Sequence, residues 1–311
     1  MKNLKRNIWI LGGTGFIGKS LIGCLSKNSQ NILHLLVHKN IPTQYLEPYN
    51  TFTGNLETFD VAWMEKYPPD VIFHLARIGG GNTISRYLAS RRGIKANQRV
   101  VKFLSELKSP PKIIYVSGSL MYGHQSDGTL ADEHSELNPI SFARHYIVGE
   151  NPWIDVQKKQ LLDVRFARPG WIVGPDSWFK AFYWNHFKKT GKIPMYGDGG
   201  QMMSLVYLDD CAGQIVNLAE NGEEFQNLNI FSGIPVSQKI FASTLASLLN
   251  TELEFKSVKN LQMRFGKAVG EAFGSSIPLK TSYPHLKESY KNIYQDAESI
   301  LRKTISFFEH K

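Results

Sequence analysis

The stretch ILGGTGFIGKSLIGCL, residues 10–25, decides how this chain folds. Gly12, Gly15 and Gly18 recur at every third position, directly after the apolar run NIWIL and at the opening of an amphipathic segment. Each glycine has its own physical reason. The first permits a tight turn out of a strand. The second lets a pyrophosphate approach bare backbone, and the third lets the following helix pack closely on the sheet. Amides at the start of that helix, aided by its dipole, hold phosphate oxygens. Gly12, Thr14, Gly15, Phe16, Ile17 and Gly18 are therefore the expected phosphate cradle of a dinucleotide site.

Outward from this turn, strand-like runs recur at spacings that leave room for helices: NIWILG (7–12), NILHLLVH (31–38), DVIFHLA (70–76), KIIYVSG (112–118) and DVRFARPG (163–170). They are nearly continuous in apolar residues and bounded by Gly, Pro, Asn or Asp, as in strands buried on both faces. The pattern predicts an α/β protein with a Rossmann-like, doubly wound parallel sheet. Later the character changes. GKIPMYGDGGQ (191–201) is glycine-rich, and SLVYLDDCAGQIVNLAEN (204–221) predicts a short strand, an aspartate cap at Asp209 or Asp210, and a helix. QNLNIFSG (226–233) is a further strand, and helices with short extended pieces follow. The expected organisation is a dinucleotide-binding domain over 1–175, to which 205–233 returns. A smaller C-terminal substrate-binding lobe would be built from 176–204 and 234–311.

Bulk composition narrows the function classes. The 311 residues are 42% hydrophobic and 20% charged, ordinary for a globular protein. No apolar run reaches the roughly 18 residues of a membrane span. Two cysteines, Cys24 and Cys211, are far apart and have no metal-ligand spacing. A reduced, cytoplasmic setting is expected, with no metal site. The net charge is +9, but the basic residues are scattered and form no nucleic-acid-binding motif. A small-molecule substrate is expected rather than nucleic acid.

The second strand carries information on the cofactor. An acid about 20 positions beyond the glycines would accept hydrogen bonds from a ribose 2′-hydroxyl. Here the strand ends in His38-Lys39-Asn40. Lys39 and a protonatable His38 would pair with a 2′-phosphate that a carboxylate would repel. NADP is expected, with NAD the alternative.

Six segments in order resemble the extended short-chain dehydrogenase/reductase family, in its NAD-dependent epimerase/dehydratase group, across about residues 7–233. They are GGTGFIG (12–18), GNL (54–56), HLAR (74–77), VSGSLMYG (116–123), RPGWIVGP (168–175) and GDGGQMMSLVYLDD (197–210). The resemblance implies cofactor contacts from Asn55 and Leu56 at the adenine. It also implies contacts from Leu75, Ala76, Arg77, Ser117, Tyr146 and Pro169 nearer the nicotinamide. A homodimer through helices around 95–107 and 142–160 is also implied.

The same resemblance exposes departures in PISFARHYIVGE (139–150). The family transfers protons with a tyrosine whose phenol, ordinarily titrating near about 10, is assisted by a lysine four residues later. That lysine also binds the nicotinamide ribose. Counting back from Glu150 places Phe142 at the tyrosine and Tyr146 at the lysine. The family's substrate serine falls on Gly118, flanked by Ser117 and Ser119. Its pyrophosphate-gripping arginine and the aspartate after it fall on Met203 and Ser204. Remaining candidates for proton transfer are Ser119, Tyr146 and His145, the last because imidazole titrates near neutrality; Tyr122, His74 and Tyr207 are further candidates for a place near the nicotinamide. Arg77, where the family has a small residue, could bind an anion. Two readings follow. One is an NAD(P)-dependent oxidoreductase or epimerase-like protein with an altered proton-transfer site, acting on a sugar-like or other small carbonyl or hydroxyl substrate. The other is a non-catalytic dinucleotide-binding sensor or assembly protein.

Overall fold

The apolar runs fold as strands because each is buried on both sides, with helices supplying the cover. The computed structural model describes residues 5–38, 46–80 and 83–310. In chain order they form β1 (Arg6–Leu11), α1 (Phe16–Leu25), β2 (Asn31–Val37), β3 (Asn50–Thr53), α2 (Ala62–Lys66), β4 (Val71–His74), α3 (Thr83–Ser105), β5 (Lys112–Val116), α4 (Ser141–Lys158) and β6 (Val164–Pro169). Then come β7 (Trp171–Val173), α5 (Asn185–Thr190), β8 (Ile193–Tyr196), β9 (Met202–Met203), β10 (Leu205–Tyr207), α6 (Leu208–Asn221) and β11 (Leu228–Ile230). The remainder is β12 (Val236–Ser237), α7 (Gln238–Leu248), β13 (Leu253–Lys256), α8 (Val258–Phe265), α9 (Lys267–Gly274), α10 (Pro284–Ser289) and α11 (Ala297–Glu309).

The central sheet has seven strands in the order β11-β6-β5-β4-β1-β2-β3. From β3 to β6 each neighbouring pair is parallel. The strand order reverses direction at β1, which lies between β2 and β4. In doubly wound sheets the ligand crevice opens outside the carboxyl ends of the strands at such a point. Strand β3 was not expected from the sequence. Its four residues NTFT are mostly exposed, so they lack the apolar continuity that marks the central strands.

Contact clustering divides the chain into two units. The first comprises 1–117, 145–167 and 212–228, and the second 118–144, 168–211 and 229–311. The first unit's core gathers Trp9, Leu11, Leu36, Ile72, Ile113, Tyr115, Trp153 and Phe166. Its α6 ends where basic side chains meet the last carbonyls. Arg165 donates to Leu218 O at 3.1 Å and to Gly222 O at 2.5 Å, and Lys112 donates to Ala219 O. The second unit packs Phe179, Tyr183, Met203, Tyr207, Phe241 and Phe273. The aromatic run over 178–184 belongs to this core. Three two-stranded sheets, β10-β7, β12-β9 and β13-β8, complete it.

This division differs from the expected one. Residues 118–144 and 168–175 group with the second unit, because the backbone of 118–144 bonds to the distal chain. Gln125 N donates to Ser276 O, Ala131 N to Pro278 O, and Lys280 N to Ala131 O. Buried Glu133 accepts from Asn229 N at 2.8 Å, Thr281 Oγ1 at 2.7 Å and Ser282 N at 2.8 Å. The aspartate cap is also corrected. α6 already begins at Leu208, so neither Asp209 nor Asp210 precedes it. Asp210 is buried instead and accepts from Tyr290 Oη at 3.1 Å, Ile293 N at 2.8 Å and Tyr294 N at 2.9 Å.

Candidate functional site

The glycine turn connects β1 to α1, and packing explains each of its glycines. Gly12 has φ +94°, and a Cβ there would lie 2.9 Å from Ala76 N. A Cβ at Gly18 would lie 2.5 Å from the carbonyl oxygens of both Gly12 and Gly13. Gly15 differs. It is exposed, and among the described residues a Cβ there would meet Gly12 O alone within 4 Å, at a close 3.2 Å. It is the N-cap of the ten-residue α1 and makes no side-chain cap bond, and the first turn carries no acid. The amides of Phe16, Ile17 and Gly18 thus have no intrahelical acceptor. Bare backbone, free amides and a positive dipole end are what a pyrophosphate requires, so these residues fit the phosphates of a dinucleotide.

The residues expected at the adenine are partly described. His38 is exposed directly after β2, while Lys39 lies outside the described residues. Asn55 Oδ1 accepts from Glu57 N at 2.8 Å and Thr58 N at 3.1 Å, so this side chain builds its own turn. Leu56 is buried beside it.

At the carboxyl end of β5 the structure brings together Arg77, Ser117, Tyr146 and Glu150. Arg77 Nη2 donates to Val116 O at 3.1 Å and to Ser117 O at 2.7 Å. Its guanidinium carbon lies 5.1 Å from the centroid of the Tyr146 ring, within range of a cation–π contact. Buried Glu150 accepts from Ser117 Oγ at 2.8 Å, and its other oxygen is 3.7 Å from Arg77 Nη2. Ser117 is therefore committed to Glu150. Arg77, Asn97, Tyr115, His145 and Tyr146 border a cavity of about 20 Å³, the size of one water.

Other candidates are buried. His74 is fully buried, and its Nε2 lies 2.9 Å from Asn97 Oδ1. Burial drives its pKa down to about 4, only partly offset by that hydrogen bond. The ring is neutral at physiological pH. Tyr207 is buried in the second unit, and burial pushes its phenol up to about 12. Tyr122, whose phenol is likewise raised chiefly by burial, donates to Asn229 Oδ1 at 2.7 Å and accepts from Arg168 Nη1 at 3.0 Å. Ser119 is buried at the start of a 3₁₀ turn over Ser119–Met121. Pro169 is buried at the end of β6. Both belong to the second unit, whereas His145 and Tyr146 belong to the first. Met203 is buried in the second unit's core, and Ser204 Oγ accepts from Leu279 N at 2.8 Å.

Sequence reasoning missed the Tyr122–Arg168–Asn229 network, because its members lie up to 107 positions apart. The RPGWIVGP segment was the available pointer to Arg168. Among the described residues no group of three or more His, Cys, Asp or Glu side chains could hold a metal ion. Nor is any described helix long and apolar enough to cross a membrane.

Comparison with known proteins places this geometry. Residues 8–231 match the model of the NAD dependent epimerase/dehydratase family. The chain is 25% identical over 251 residues to the epimerase family protein YfhF of Bacillus subtilis, covering 77% of this chain and 78% of that one. It is also 25% identical over 271 residues to UDP-glucuronic acid decarboxylase 3 of Arabidopsis thaliana, covering 81% and 77%. Among solved structures, UDP-glucuronic acid 4-epimerase from Bacillus cereus, in complex with UDP-glucuronic acid and NAD, superimposes with a TM-score of 0.77. It is 20% identical and covers 98% of this chain and 99% of that one. Human epimerase family protein SDR39U1 with NADPH gives 0.75 at 17% identity, covering 96% and 99%. At such identities the solved structures establish the shared fold alone, while the family model spans most of the chain. The chain belongs to the NAD-dependent epimerase/dehydratase family.

Proposed function

We propose that this protein binds a nicotinamide dinucleotide at the Gly12–Gly18 turn, with NADP preferred over NAD. On this reading it acts as an oxidoreductase or epimerase-like enzyme on a sugar-like or other small carbonyl or hydroxyl substrate. The observation that carries the reading is Gly15, an exposed N-cap whose missing side chain leaves the first amides of α1 open. Thr14, Phe16 and Ile17 complete the phosphate cradle. Asn55 and Leu56 flank the adenine, and Leu75, Ala76, Arg77, Ser117, Tyr146 and Pro169 serve the nicotinamide half. The preference for NADP rests on His38 and Lys39 following β2 where an acid would select NAD. Support comes from relatives solved with NAD and with NADPH, and the sugar-like substrate is suggested by relatives that bind UDP-glucuronic acid.

When bound, the cofactor supplies hydride chemistry at its nicotinamide ring. The protein's share is orientation and proton handling. Ser117 is engaged by Glu150 and Ser119 is buried. At the cavity the Tyr146 phenol and the His145 imidazole are half-buried, whereas the Tyr115 phenol is buried and its pKa is raised chiefly by that burial, so Tyr146 and His145 are the candidates for proton transfer. A second reading, a non-catalytic sensor, is favoured by Phe142 and Gly118 at the family's catalytic positions. A cytoplasmic location and a homodimer through α3 and α4 are part of the proposal. Titration with NADPH and NADH, followed by loss of NADPH absorbance with carbonyl substrates, separates the two readings. Binding with turnover supports the enzyme, and binding without turnover supports the sensor.

A further inference from the structure

We propose that the free edge of the central sheet carries a binding site for a flat, uncharged heterocycle with a cyclic amide or amidine edge, such as a nucleoside. This goes beyond the dinucleotide reading and does not depend on it. β3 is the last strand of the seven-stranded sheet and pairs on one side with β2. In a parallel ladder the N–H and C=O of one residue point to the same side, and successive residues alternate. Gly54 N donates to Val37 O, so Gly54 and Phe52 turn their backbone groups toward β2. Thr51 and Thr53 therefore turn theirs to the open edge. Among the described residues no strand meets them there. Each offers one donor beside one acceptor, the pattern that an amide or amidine edge complements.

A cavity of about 410 Å³ lies against this edge, with Thr51, Phe52, Thr53, Asp60, Trp63 and Tyr67 among its walls. That size suits a small organic ligand. Aromatic rings supply the flat surfaces. Phe52 stacks on buried Trp9 with centroids 4.8 Å apart, and the Trp63 ring lies 5.0 Å from Phe52. The inner end of this cluster is fixed, whereas Trp63 is 41% exposed and can take a further ring. Lys66 Nζ stands 5.7 Å from the Trp63 centroid and 5.4 Å from that of Tyr67, but Lys66 is not part of the cavity wall. Asp60 is the charged residue among the described walls, and its Oδ1 accepts from Ala62 N at 3.0 Å. A carboxylate without a cation disfavours a phosphate-bearing ligand. The site is also set apart from the dinucleotide. It runs along β3 to Asn50 at the amino end of the strand and does not include Asn55 or Leu56, whereas the cofactor crevice opens at the carboxyl ends.

The test uses the full chain, with NADPH absent or in excess. Adenosine, its N-dimethylated analogue lacking the exocyclic N–H groups, and AMP are titrated by calorimetry into wild type, Trp63→Leu, Thr51→Pro and Thr53→Pro, and circular dichroism checks folding. Proline is tolerated where an edge N–H faces outward, so the two proline variants remove a donor rather than the strand. Expected is adenosine binding to wild type with and without NADPH, weakened about tenfold in Trp63→Leu and about threefold or more in at least one proline variant. The dimethylated analogue and AMP should bind more weakly than adenosine, and NADPH affinity in Trp63→Leu should change by less than about twofold. The proposal is overturned by no adenosine binding to wild type, by displacement of adenosine by NADPH, by AMP or the analogue binding as tightly as adenosine, or by unchanged adenosine affinity in folded Trp63→Leu or in both folded proline variants. Adenosine binding that depends on Trp63, in a protein that takes up no NADPH, would support the edge site and remove the dinucleotide reading instead.

Discussion

The turn after β1 and the carboxyl end of β5 belong to the same sheet but are constrained in opposite ways. At Gly12 and Gly18 the absent side chain is dictated by neighbouring backbone at 2.9 Å or less, whereas at Gly15, which is exposed, a Cβ would approach Gly12 O at 3.2 Å. Around β5 and α4 the interest lies in side chains: on the alignment proposed above, Phe142, Tyr146 and Arg77 fall where the family has a tyrosine, a lysine and a small residue. On the proposed reading, a cradle made of main chain persists through geometry, whereas a proton-transfer site made of side chains can be rebuilt residue by residue.

The largest effect separates the two kinds of glycine. Gly18→Ala forces a Cβ to within 2.5 Å of two carbonyl oxygens. It is expected to lower unfolding free energy by about 3 kcal/mol, read from urea denaturation. A loss below about 0.5 kcal/mol would mean that the turn tolerates side chains and the contrast fails.

The next prediction tests the rebuilt end. Phe142→Tyr with Tyr146→Lys restores the family pair but sets an ammonium beside the Arg77 guanidinium, and like charges there repel. Adding Arg77→Ala removes that conflict. The triple variant is expected to oxidise NADPH with carbonyl substrates on the order of tenfold faster than wild type, and faster than the double variant. A triple variant that binds NADPH yet shows no gain would show that the alignment of these positions is wrong.

The smallest effect concerns His74, buried below this site. Its folded pKa is depressed to about 4, so below about pH 6.5 the unfolded chain takes up a proton that the folded protein does not. The stability tied to the neutral ring is intact above that pH and is lost as pH falls toward 4. Between pH 7 and pH 5.5 wild type should lose about 1 kcal/mol more than His74→Gln, measured by paired denaturation curves. Parallel losses in the two proteins would contradict the assignment.

Much of this was legible in the sequence, and the exceptions share a cause. The parallel strands announce themselves through apolar continuity, and the turn from β1 into α1 through glycines spaced three apart. Strand β3 is short and exposed, so it carries no such signal. Asp210 looks like a helix cap from its neighbours in sequence, but its partners lie about 80 positions on. Glu133 and residues 118–144 are likewise fixed by the distal chain. Arg77 stood out as an unusual residue, yet its place over the Tyr146 ring and its anchoring to β5 depend on three-dimensional proximity.

The most direct test of the central claim is isothermal calorimetry of NADPH and NADH binding to wild type and to Gly15→Val, with circular dichroism checking that the variant folds although its Cβ would lie 3.2 Å from Gly12 O. The account predicts saturable binding to wild type, tighter for NADPH, and weakening on the order of a hundredfold in Gly15→Val. Absence of binding to wild type, or equal affinity in the two proteins, would contradict it.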